Sequence, residues 1–537
     1  MIINTELEQK GNLFPSKIIA FTKDVDTLYF HTENDVILQM RILRDSVIRF
    51  RYTTTGKFEN DFSYAITKYA SIGYNRLDID EENDVYLVST AKLICKIYKA
   101  NLKVVICDAE DGSIINEDEL GFHWEESYQF GGDIVKMSKV SHGGESFYGL
   151  GDKPSHLNLK GKRFENWVTD SYAFGKDTDP IYKAIPFFTG LNNDKAYGIF
   201  FDNTFRSYFD FANERRNVTS FWAQGGEMNY YFIYGPKMND VVANYTDLTG
   251  KPHQLPPLWA LGFHQCKWSY YPESNVKAIT SKFRDLKIPC DAIYLDIDYM
   301  EGFRCFTWSK SHFPDPKRMV KELSDDGFKT VVIIDPGIKI DKEYSVFKEA
   351  LEKDYFCKRA DGPYMKGKVW PGECYFPDFT RPEVRDWWSD LFKELIEEIG
   401  VKGVWNDMNE PASWGQDTPN IVQFDWEGKG TSHKEGRNVY GMQMSRATYE
   451  GALQASNGER PFILTRATYA GGQRFAAKWT GDNVASNEHM LMGSRMITSL
   501  GLSGFPFSGY DVGGFMGEGD KELFARWFSI AAFSPFF

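Results

Sequence analysis

Apolar and polar residues alternate in short runs through the first 245 residues of the chain. The alternation is clearest in Val36–Arg51, Val85–Tyr98 and Tyr197–Phe211, and turn-forming clusters such as Asp108–Ser113 separate the runs. Because successive side chains of a strand point to opposite faces, this period of two indicates strands with one buried face. Many short strands at such spacing predict an N-terminal β-sandwich domain over residues 1–245.

The pattern changes at Lys251–Pro257, where three prolines mark a domain boundary. Nearly continuous apolar runs then alternate with helical stretches, a pattern typical of a parallel sheet covered by helices. The strand candidates are Leu258–His264, Ala292–Asp298, Lys329–Asp335, Gly403–Asn409, Phe462–Arg466, Ala476–Asp482 and Gly504–Asp511. Acids at the strand ends favour an α/β fold of the TIM (β/α)8 barrel type over residues 246–537, with an insertion around residues 337–380 after the third strand.

The barrel predicted in this way has seven strand candidates, so its eighth strand is missing from this chain. The sequence stops at Phe537 within the apolar segment Ser534–Phe537, without a polar tail. We therefore expect the chain to be a truncated piece of a longer protein.

Composition and charge narrow the possible partners. The net charge is −13 and no Lys/Arg cluster is present, which argues against nucleic acid as a partner. The seven cysteines include no CxxC pair and the nine histidines do not group, so no metal or other cofactor is expected. Met1–Pro15 has no apolar signal-peptide core and no membrane-length apolar run occurs, so a cytoplasmic location without a membrane span is expected. If a signal peptide was removed before this numbering begins, the expected location is periplasmic or secreted. The sequence is compatible with a homo-oligomer.

Polar residues gather where the predicted barrel strands end. Trp405, Asp407 and Asn409 alternate along the fourth strand, so their side chains are expected on one side. Carboxylates around one rim repel each other and lose hydration, so their proximity destabilises the fold. Such an arrangement is typical of sites where a ligand or a reaction requires the acids. Active sites of this barrel type lie at the same face. The further acids at strand ends are Asp296, Asp482 and Asp511.

Three segments carry a resemblance to one known family. Gly403–Pro411 reads GVWNDMNEP, Arg466–Asp482 runs from RAT to KWTGD, and Gly509–Phe515 reads GYDVGGF. These segments closely resemble the nucleophile, acid/base and late-strand sugar-binding motifs of glycoside hydrolase family 31, in the same order and at similar spacing. The resemblance runs from about Gly149 to the chain end and implies a retaining α-glucosidase.

In such an enzyme two carboxyl groups flank the glycosidic bond, about 5–5.5 Å apart. By matching position, Asp407 resembles the nucleophile, which attacks the anomeric carbon and forms a β-linked glycosyl-enzyme. Asp482 resembles the general acid/base, which protonates the departing oxygen and later deprotonates water. For that role, burial or the charge of Asp407 has to raise the pKa of Asp482. The reaction needs no metal or other cofactor.

The resemblance implies further roles by matching position. Glu410 resembles a supporting acid near the nucleophile, and a purely structural salt bridge explains it nearly as well. Asp170 matches an acid of an N-terminal loop that binds the sugar in subsite +1. An ordinary surface turn explains this segment equally well. The residues that resemble ligands of sugar hydroxyls are Asp296, Arg466 and Asp511. The residues that resemble pocket walls or line the +1 side are Trp268, Ile338, Trp370, Trp479 and Phe515.

The leading expectation is exo-acting hydrolysis of a terminal, non-reducing α-linked glucose from an α-gluco-oligosaccharide. α-Glucosyl transfer and α-xylosidase activity are the alternatives within the family, since both use the same acids. Outside catalysis, a carbohydrate-binding protein on a decayed scaffold and a structural or interaction protein are the alternatives. The family also carries a sugar-binding His just after the segment where this chain ends, followed by C-terminal β-domains, and His489 does not match that position.

Overall fold

The computed structural model describes residues 12–67, 78–127, 132–415 and 417–537. The described residues form two compact units. The sandwich unit takes its residues from Met1–Trp167, Ala184–Lys251 and Thr498–Gly504, and the barrel unit from Val168–Lys183, Pro252–Ile497 and Phe505–Phe537. The predicted domain limits at residues 245 and 246 and the further C-terminal domains stay predictions.

The sandwich unit is built from two antiparallel sheets, followed by helix α1 (Met238–Thr249). In the described ranges the sheet orders are β1-β2-β3-β4-β18-β15-β14-β11 and β12-β16-β17-β10-β9-β8-β7-β6-β5. The strands are β1 (Ile18–Asp24), β2 (Thr27–Thr32), β3 (Ile37–Arg44), β4 (Val47–Thr53), β5 (Asp78–Glu81), β6 (Val85–Ser89), β7 (Leu93–Tyr98), β8 (Val104–Asp108), β9 (Ile114–Ser127), β10 (Gly132–Val140), β11 (Ser146–Gly149), β12 (Arg163–Asn166), β13 (Lys183–Ala184), β14 (Phe187–Asn192), β15 (Lys195–Phe201), β16 (Ser207–Phe211), β17 (Val218–Ala223) and β18 (Met228–Tyr234).

Alternating burial along the strands explains how the two sheets meet. In β3 and β6 nearly every second side chain is buried. Leu28 and Phe30 of the first sheet share one apolar core with Val88 and Phe221 of the second. The alternating run Tyr197–Phe211 holds β15 and β16, which belong to different sheets and supply this core from both sides. The predicted β-sandwich is thereby confirmed.

The barrel unit contains a parallel sheet whose strands alternate with helices. Its strands and those of its loops are β19 (His264–Gln265), β20 (Ala292–Leu295), β21 (Lys329–Ile334), β22 (Ile338–Lys339), β23 (Lys358–Arg359), β24 (Lys366–Val369), β25 (Gly372–Tyr375), β26 (Gly403–Asn406), β27 (Val422–Phe424), β28 (Thr431–Ser432), β29 (Phe462–Thr465), β30 (Thr468–Tyr469), β31 (Ala477–Trp479) and β32 (Ser508–Gly509). The helices after α1 are α2 (Glu273–Asp285), α3 (Pro316–Asp325), α4 (Ser345–Glu352), α5 (Pro382–Asp390), α6 (His433–Ala455), α7 (Asn487–Leu502) and α8 (Lys521–Ala531). The parallel sheet has the order β19-β20-β21-β26-β29-β31-β32 in the described part of the chain.

Backbone hydrogen bonds connect the last strand of this sheet to the first through the end of the chain. The N–H of Phe536 donates to the carbonyl of Ser508 in β32 at 3.3 Å, and the N–H of His264 in β19 donates to the carbonyl of Phe537 at 3.0 Å. Residues 536 and 537 therefore occupy the place of an eighth strand. The seven-stranded sheet curls as in a (β/α)8 barrel, which confirms the predicted fold class. An eighth strand was expected to be missing, and residues 536 and 537 alone occupy its position.

The start of the barrel differs from the prediction. A strand was expected over Leu258–His264, but the chain forms a 3-10 helix at Leu258–Leu261 before the two-residue strand β19. Pro256 and Pro257 have no N–H group for a strand ladder, and the side chain of Leu258 is 80% exposed. The apolar run is therefore a surface segment and not a buried strand.

Three further observations concern membrane spans, metal-binding groups and disulfides. None of the helices in the described ranges has the length and apolar character needed to cross a bilayer. Within the same ranges, no group of three or more His, Cys, Asp or Glu side chains is arranged to hold a metal ion. All seven cysteines are free thiols.

Candidate active site

Charged residues stand directly after four strands of the barrel. The carboxyl ends of parallel strands meet at one face of the barrel, where the active sites of this fold lie. The shorter strands β31 and β32 lead into two further acids, Asp482 and Asp511. The four residues that follow a strand directly are Asp296 after β20, Asp335 after β21, Asp407 after β26 and Arg466 after β29.

Arg466 is the centre of the charged cluster at this face. Its buried guanidinium lies at ion-pair distance from four carboxylates. Nε is 3.1 Å from Oδ1 of Asp407, and Nη1 is 3.3 Å from Oδ2 of Asp482. Nη2 is 2.9 Å from Oε2 of Glu410 and 3.5 Å from Oδ1 of Asp170. The predicted nucleophile and the predicted acid/base thus contact one planar group, although they are far apart in the sequence.

Glu410 accepts hydrogen bonds from two of the five N–H groups of this guanidinium. The Nε and Nη2 atoms of Arg466 donate to its two carboxylate oxygens at 3.0 and 2.9 Å. Such bidentate pairs are the strongest type of ion pair in proteins. Oδ1 of Asp407 is buried beside the same Nε but has no hydrogen-bond partner among the described residues. Glu410 thus forms a salt bridge, and its partner is the same arginine that contacts Asp407. This position is compatible both with a supporting acid and with a structural salt bridge.

One guanidinium cannot balance four carboxylates, of which Asp407 and Glu410 are buried and Asp170 and Asp482 are half-buried. Burial raises the pKa of Asp407 and that of Asp482, and the positive charge of Arg466 opposes both shifts. Burial also raises the pKa of Asp170 to about 6, again against the charge of Arg466. For Arg466 itself, burial lowers the pKa, but the surrounding carboxylates raise it well above its usual range. The four acids therefore oppose one another's ionisation around this single cation.

Two further acids interact electrostatically with the cluster. Asp296 is buried, and its Oδ1 accepts a hydrogen bond from the N–H of Ile297 at 2.7 Å. Burial raises the pKa of Asp296 to about 7, and this hydrogen bond opposes the shift. Burial and the charges of Asp482, Asp407 and Asp296 raise the pKa of Asp511 well above its usual range. The acids predicted to bind sugar hydroxyls therefore lie within electrostatic reach of the acid pair.

The loop after β26 departs from the predicted alternation of Trp405, Asp407 and Asn409. The strand ends one residue before Asp407, and Met408 has a left-handed backbone with φ 55°. Asn409 then reaches the neighbouring strand, where its Nδ2 donates to Oγ1 of Thr465 at 2.8 Å. A left-handed residue other than glycine costs about 1–3 kcal/mol and is typical of functional sites. The side chain of Asp407 therefore projects from a turn and not from a regular strand.

Tyr182 packs against the guanidinium and shapes the segment before Asp482. The Cζ atom of Arg466 lies 4.8 Å from the centroid of the Tyr182 ring. Gly481 has φ +82°, and a Cβ at this position would lie 2.2 Å from Cε2 of Tyr182. Only glycine fits there. The family resemblance pointed to Asp170 of the preceding segment, but no local pattern indicated that the ring of Tyr182 covers Arg466.

Three tryptophans with solvent-accessible rings form a separate aromatic group. Trp268 is 52% exposed, and its ring centroid lies 5.3 Å from that of Trp370 in the turn between β24 and β25. Trp370 in turn lies 4.6 Å from Trp414, an exposed residue of the loop after β26. Sequence reasoning missed Trp414, because a single Trp in a loop carries no local signal.

The remaining residues predicted to form walls have different surroundings. Trp479 is buried in the barrel interior, where its ring centroid lies 5.6 Å from that of Trp405. Phe515 is exposed and meets the ring of Tyr172 edge-on at 6.0 Å. Ile338 is fully buried at the start of β22. The structure thus unites the predicted charged residues in one region and distributes the predicted apolar residues over several.

Two family descriptions match this sequence. Residues 253–537 match the TIM-barrel domain of glycosyl hydrolases family 31. Residues 37–210 match the glycosyl hydrolase 31 N-terminal galactose mutarotase-like domain. The chain is 38% identical over 523 residues to "Alpha-glucosidase 2" of Bacillus thermoamyloliquefaciens, an alignment that covers 96% of this chain and 65% of that protein.

Solved structures with the same fold belong to related enzymes. A mutant Flavobacterium johnsoniae GH31 dextranase complexed with isomaltotriose superimposes with a TM-score of 0.89 at 33% identity, covering 97% of this chain and 64% of that chain. The glucosidase II alpha subunit in its alpha3-Glc2-bound form superimposes with a TM-score of 0.87 at 27% identity, covering 98% of this chain and 66% of that chain. The present chain thus spans less than two thirds of the length of these relatives. Because the barrel description alone accounts for more than half of the 537 residues, the chain belongs to glycoside hydrolase family 31.

Proposed function

We propose that this protein is a retaining, exo-acting α-glucosidase that releases terminal, non-reducing α-linked glucose from oligosaccharides. The observation that carries the proposal is the shared contact of Asp407 and Asp482 with the guanidinium of Arg466. Retaining hydrolysis needs two carboxyl groups at short range from each other, and a common guanidinium supports such an arrangement. The similarity to a Bacillus α-glucosidase supports the same activity.

The two acids take different roles because their surroundings differ. Nε of Arg466 lies 3.1 Å from Asp407, the closer of the two contacts, and this positive charge favours the carboxylate form that a nucleophile needs. Burial raises the pKa of both acids, that of Asp407 to about 8, so burial alone does not divide the roles. Asp482 lies farther from the cation at 3.3 Å, and its match to the acid/base motif assigns the proton to it. In the first step the Asp407 carboxylate attacks the anomeric carbon while Asp482 protonates the departing oxygen.

The second step reverses the proton transfer. The first step leaves a β-linked glucosyl ester on Asp407 and an ionised Asp482. Asp482 then removes a proton from water, whose oxygen attacks the anomeric carbon and releases α-glucose. Asp407 returns as a carboxylate beside Arg466. If a sugar hydroxyl replaced water in this step, the same residues would perform α-glucosyl transfer.

The acids around the pair provide a binding site for glucose hydroxyls. Asp296 and Asp511 are carboxyls whose pKa burial raises, and hydroxyl groups that donate hydrogen bonds to them would lower the cost of their ionisation. On the acceptor side, Asp170 and the exposed ring of Trp268 would contact the sugar in subsite +1. The residues proposed to complete the walls are Ile338, Trp370, Trp479 and Phe515.

Short α-gluco-oligosaccharides are the proposed substrate class. The dextranase mutant is complexed with isomaltotriose, and the glucosidase II alpha subunit is in an alpha3-Glc2-bound form. A panel of maltose, nigerose and isomaltose therefore covers the relevant linkages. Product analysis at high maltose concentration separates hydrolysis from transfer, and p-nitrophenyl α-xyloside compared with the α-glucoside tests the xylosidase alternative.

The mechanism is tested by the anomer that is released first. Proton NMR of p-nitrophenyl α-glucoside hydrolysis should show α-glucose as the first product. Asp407→Ala should lower kcat by at least about 10⁴-fold. Azide should restore turnover of Asp482→Ala and yield the α-glucosyl azide, because it attacks the intermediate without general base assistance.

Asp390→Ala is the matched control. Asp390 is the last residue of α5, and its surface carboxyl pairs with Lys393, three residues later, at 2.8 Å. It should retain wild-type turnover. β-Glucose as the first product would exclude the retaining mechanism. Activity that survives in Asp407→Ala would reject this residue as the nucleophile.

A further inference from the structure

Asp335 lies next to Asp407 in the register of the barrel sheet. In β21 and β26 the residues Ile334 and Asn406 are paired, so the next pair in register is Asp335 and Asp407. The N–H of Asp407 donates to the carbonyl of Ile334 at 3.4 Å, which continues the ladder to this point. Neighbouring strands are about 4.8 Å apart, so the two backbones are adjacent at this point, one residue beyond the end of each regular strand. The charge of Asp407 acts directly on the Asp335 carboxyl, as expected for neighbouring acids.

The same row continues to Arg466 on the other side of Asp407. In β26 and β29 the residues Asn406 and Thr465 are paired, and the N–H of Arg466 donates to the carbonyl of Asn406 at 3.1 Å. Asp335, Asp407 and Arg466 thus follow the ends of three neighbouring strands in one row. Asp407 has the cation on one side and a second carboxyl group on the other.

Both acids have a buried oxygen that lacks a hydrogen bond. Asp335 is 3% exposed, and its Oδ1 is buried without a hydrogen-bond partner among the described residues. Oδ1 of Asp407 is in the same situation, because the Nε–H of Arg466 donates to Glu410. Buried polar atoms are nearly always paired, and an unpaired one costs about 1–3 kcal/mol. Two such atoms at neighbouring positions of one row indicate a shared proton.

The electrostatic surroundings favour one proton on this pair. In the described ranges no Lys, Arg or His side chain forms a salt bridge with Asp335. Burial and the charge of Asp407 raise the pKa of Asp335 well above its usual range, while Arg466 opposes the shift. Two adjacent buried carboxyls cannot both ionise readily. The titratable and charged groups that face Asp335 are Asp296, Tyr299, Cys305, Cys374, Asp407, Glu410 and Arg466.

We propose that Asp335 is a positioning residue for Asp407: it stays protonated at neutral pH and donates a hydrogen bond to the Asp407 carboxylate. This inference rests on the proposed function, in which Asp407 is the nucleophile. The proton satisfies the unpaired oxygen on each residue. Together with Arg466 and the backbone N–H of Met408, it fixes the rotation of the Asp407 carboxylate, and it favours the ionised form that attacks the sugar.

Infrared spectroscopy tests the proton without any reference to activity. The wild-type spectrum at neutral pH minus that of Asp335→Asn should contain the carbonyl stretching band of a protonated carboxylic acid. In Asp407→Asn the same band should shift, because the acceptor changes from a carboxylate to an amide. A difference spectrum without the acid band, or a band unaffected by Asp407→Asn, would overturn the inference.

The pH dependence of kcat/KM tests the positioning role. Asp335→Asn keeps a neutral donor, so the acid limb of its profile should coincide with that of the wild type. Asp335→Leu removes the donor, so kcat/KM should fall about 10- to 100-fold and the acid limb should move to higher pH. An acid limb that moves to lower pH in Asp335→Asn would mean that Asp335 is ionised in the wild type and would overturn the inference. Wild-type kcat/KM in Asp335→Leu would also overturn it.

Asp378→Asn is the matched control for the loss of a buried carboxyl. Asp378 is buried, and its Oδ1 accepts hydrogen bonds from Oγ1 and the N–H of Thr380 at 2.6 and 3.0 Å. This variant should lower Tm and leave the acid limb in place. If the wild-type protein hydrolyses no α-glucoside, the proposed function fails, and the infrared bands still decide whether Asp335 holds a proton that it shares with Asp407.

Discussion

Charge balance around Arg466 determines how single residues of the candidate site tolerate substitution. Four carboxylates from three loops depend on this one buried cation. Removing one partner of a buried ion pair leaves uncompensated charge. We expect Arg466→Met to lower the free energy of unfolding by about 3–5 kcal/mol at neutral pH, as measured by urea unfolding. The loss should become smaller at acidic pH, because the carboxylates are then protonated.

Arg446→Met provides the comparison for this prediction. Arg446 pairs with Glu450 at 2.9 Å on α6, and both side chains are partly exposed. Such i,i+4 pairs contribute about 0.3–0.5 kcal/mol. Equal losses in the two variants would contradict the view that Arg466 balances the acid cluster.

Asp296 makes the stability of the protein depend on pH. Burial raises its pKa from 3.8 to about 7 in the folded state. A raised carboxyl pKa stabilises the folded form fully below about pH 4, and this contribution is lost as the pH rises through about 7. Between about pH 4 and pH 7 the free energy of unfolding should therefore fall in the wild type but not, through this group, in Asp296→Asn. Each unit of pKa shift corresponds to about 1.4 kcal/mol of this difference.

Thermal unfolding at a series of pH values measures the effect of Asp296. Asp390→Asn, which changes a surface carboxyl on α5, should follow the wild-type curve. Parallel curves for Asp296→Asn and the wild type would show that the Asp296 carboxyl does not titrate in this way. The variant should also bind substrate more weakly, because Asp296 is a proposed ligand of sugar hydroxyls.

Among the loops, the turn between β31 and Asp482 is closely fitted to its neighbours. Gly481→Ala combines a left-handed backbone with a Cβ only 2.2 Å from the Tyr182 ring. The ring has to move away from Arg466 or the turn has to shift, so we expect both a lower Tm and a loss of kcat of about tenfold or more. Kinetics on p-nitrophenyl α-glucoside together with Tm measure the two effects.

Gly458→Ala separates backbone strain from the clash in this experiment. Gly458 has φ +83°, nearly the value of Gly481, but a Cβ there would meet no atom within 4 Å. It should lower Tm slightly and leave kcat unchanged. A comparable loss of kcat in both variants would mean that the contact with Tyr182 is unimportant for activity.

The order of elements could be predicted because it depends on local pattern. Alternation indicated the sandwich, and strand–helix alternation with acids after the strands indicated the barrel. Contacts among loops carry no such signal: Asp170 and Glu410 reach Arg466 only through tertiary packing. Asp335 ended a predicted strand, but the register that sets it beside Asp407 appears only when β21 and β26 pair.

For the molecule as a whole, closure of the barrel depends on its last residues. The ring of Phe536 packs against Phe462, Phe507 and His264 at centroid distances of 5.8, 5.6 and 5.0 Å. Phe536→Ala should lower the free energy of unfolding by about 1–2 kcal/mol, less than the roughly 3–5 kcal/mol of a fully buried Phe, since the ring is partly exposed. Urea unfolding measures the loss.

Phe533→Ala is the control for the loss of a nearby phenylalanine ring. Its side chain is 93% exposed, so its removal should change the stability by less than about 0.5 kcal/mol. An equal effect of the two substitutions would show that Phe536 does not hold the ends of the sheet together.

The bridge formed by Phe536 and Phe537 also has a consequence for synthesis of the protein. The N–H of His264 is translated long before its acceptor, the carbonyl of Phe537. A nascent chain can form the two sheets of its sandwich while the edges of β19 and β32 are still unpaired, because residues 536 and 537 have not yet left the ribosome. Unpaired strand edges attract other chains. Ribosome-bound intermediates that contain most of the barrel should therefore be the species that depend most on chaperones.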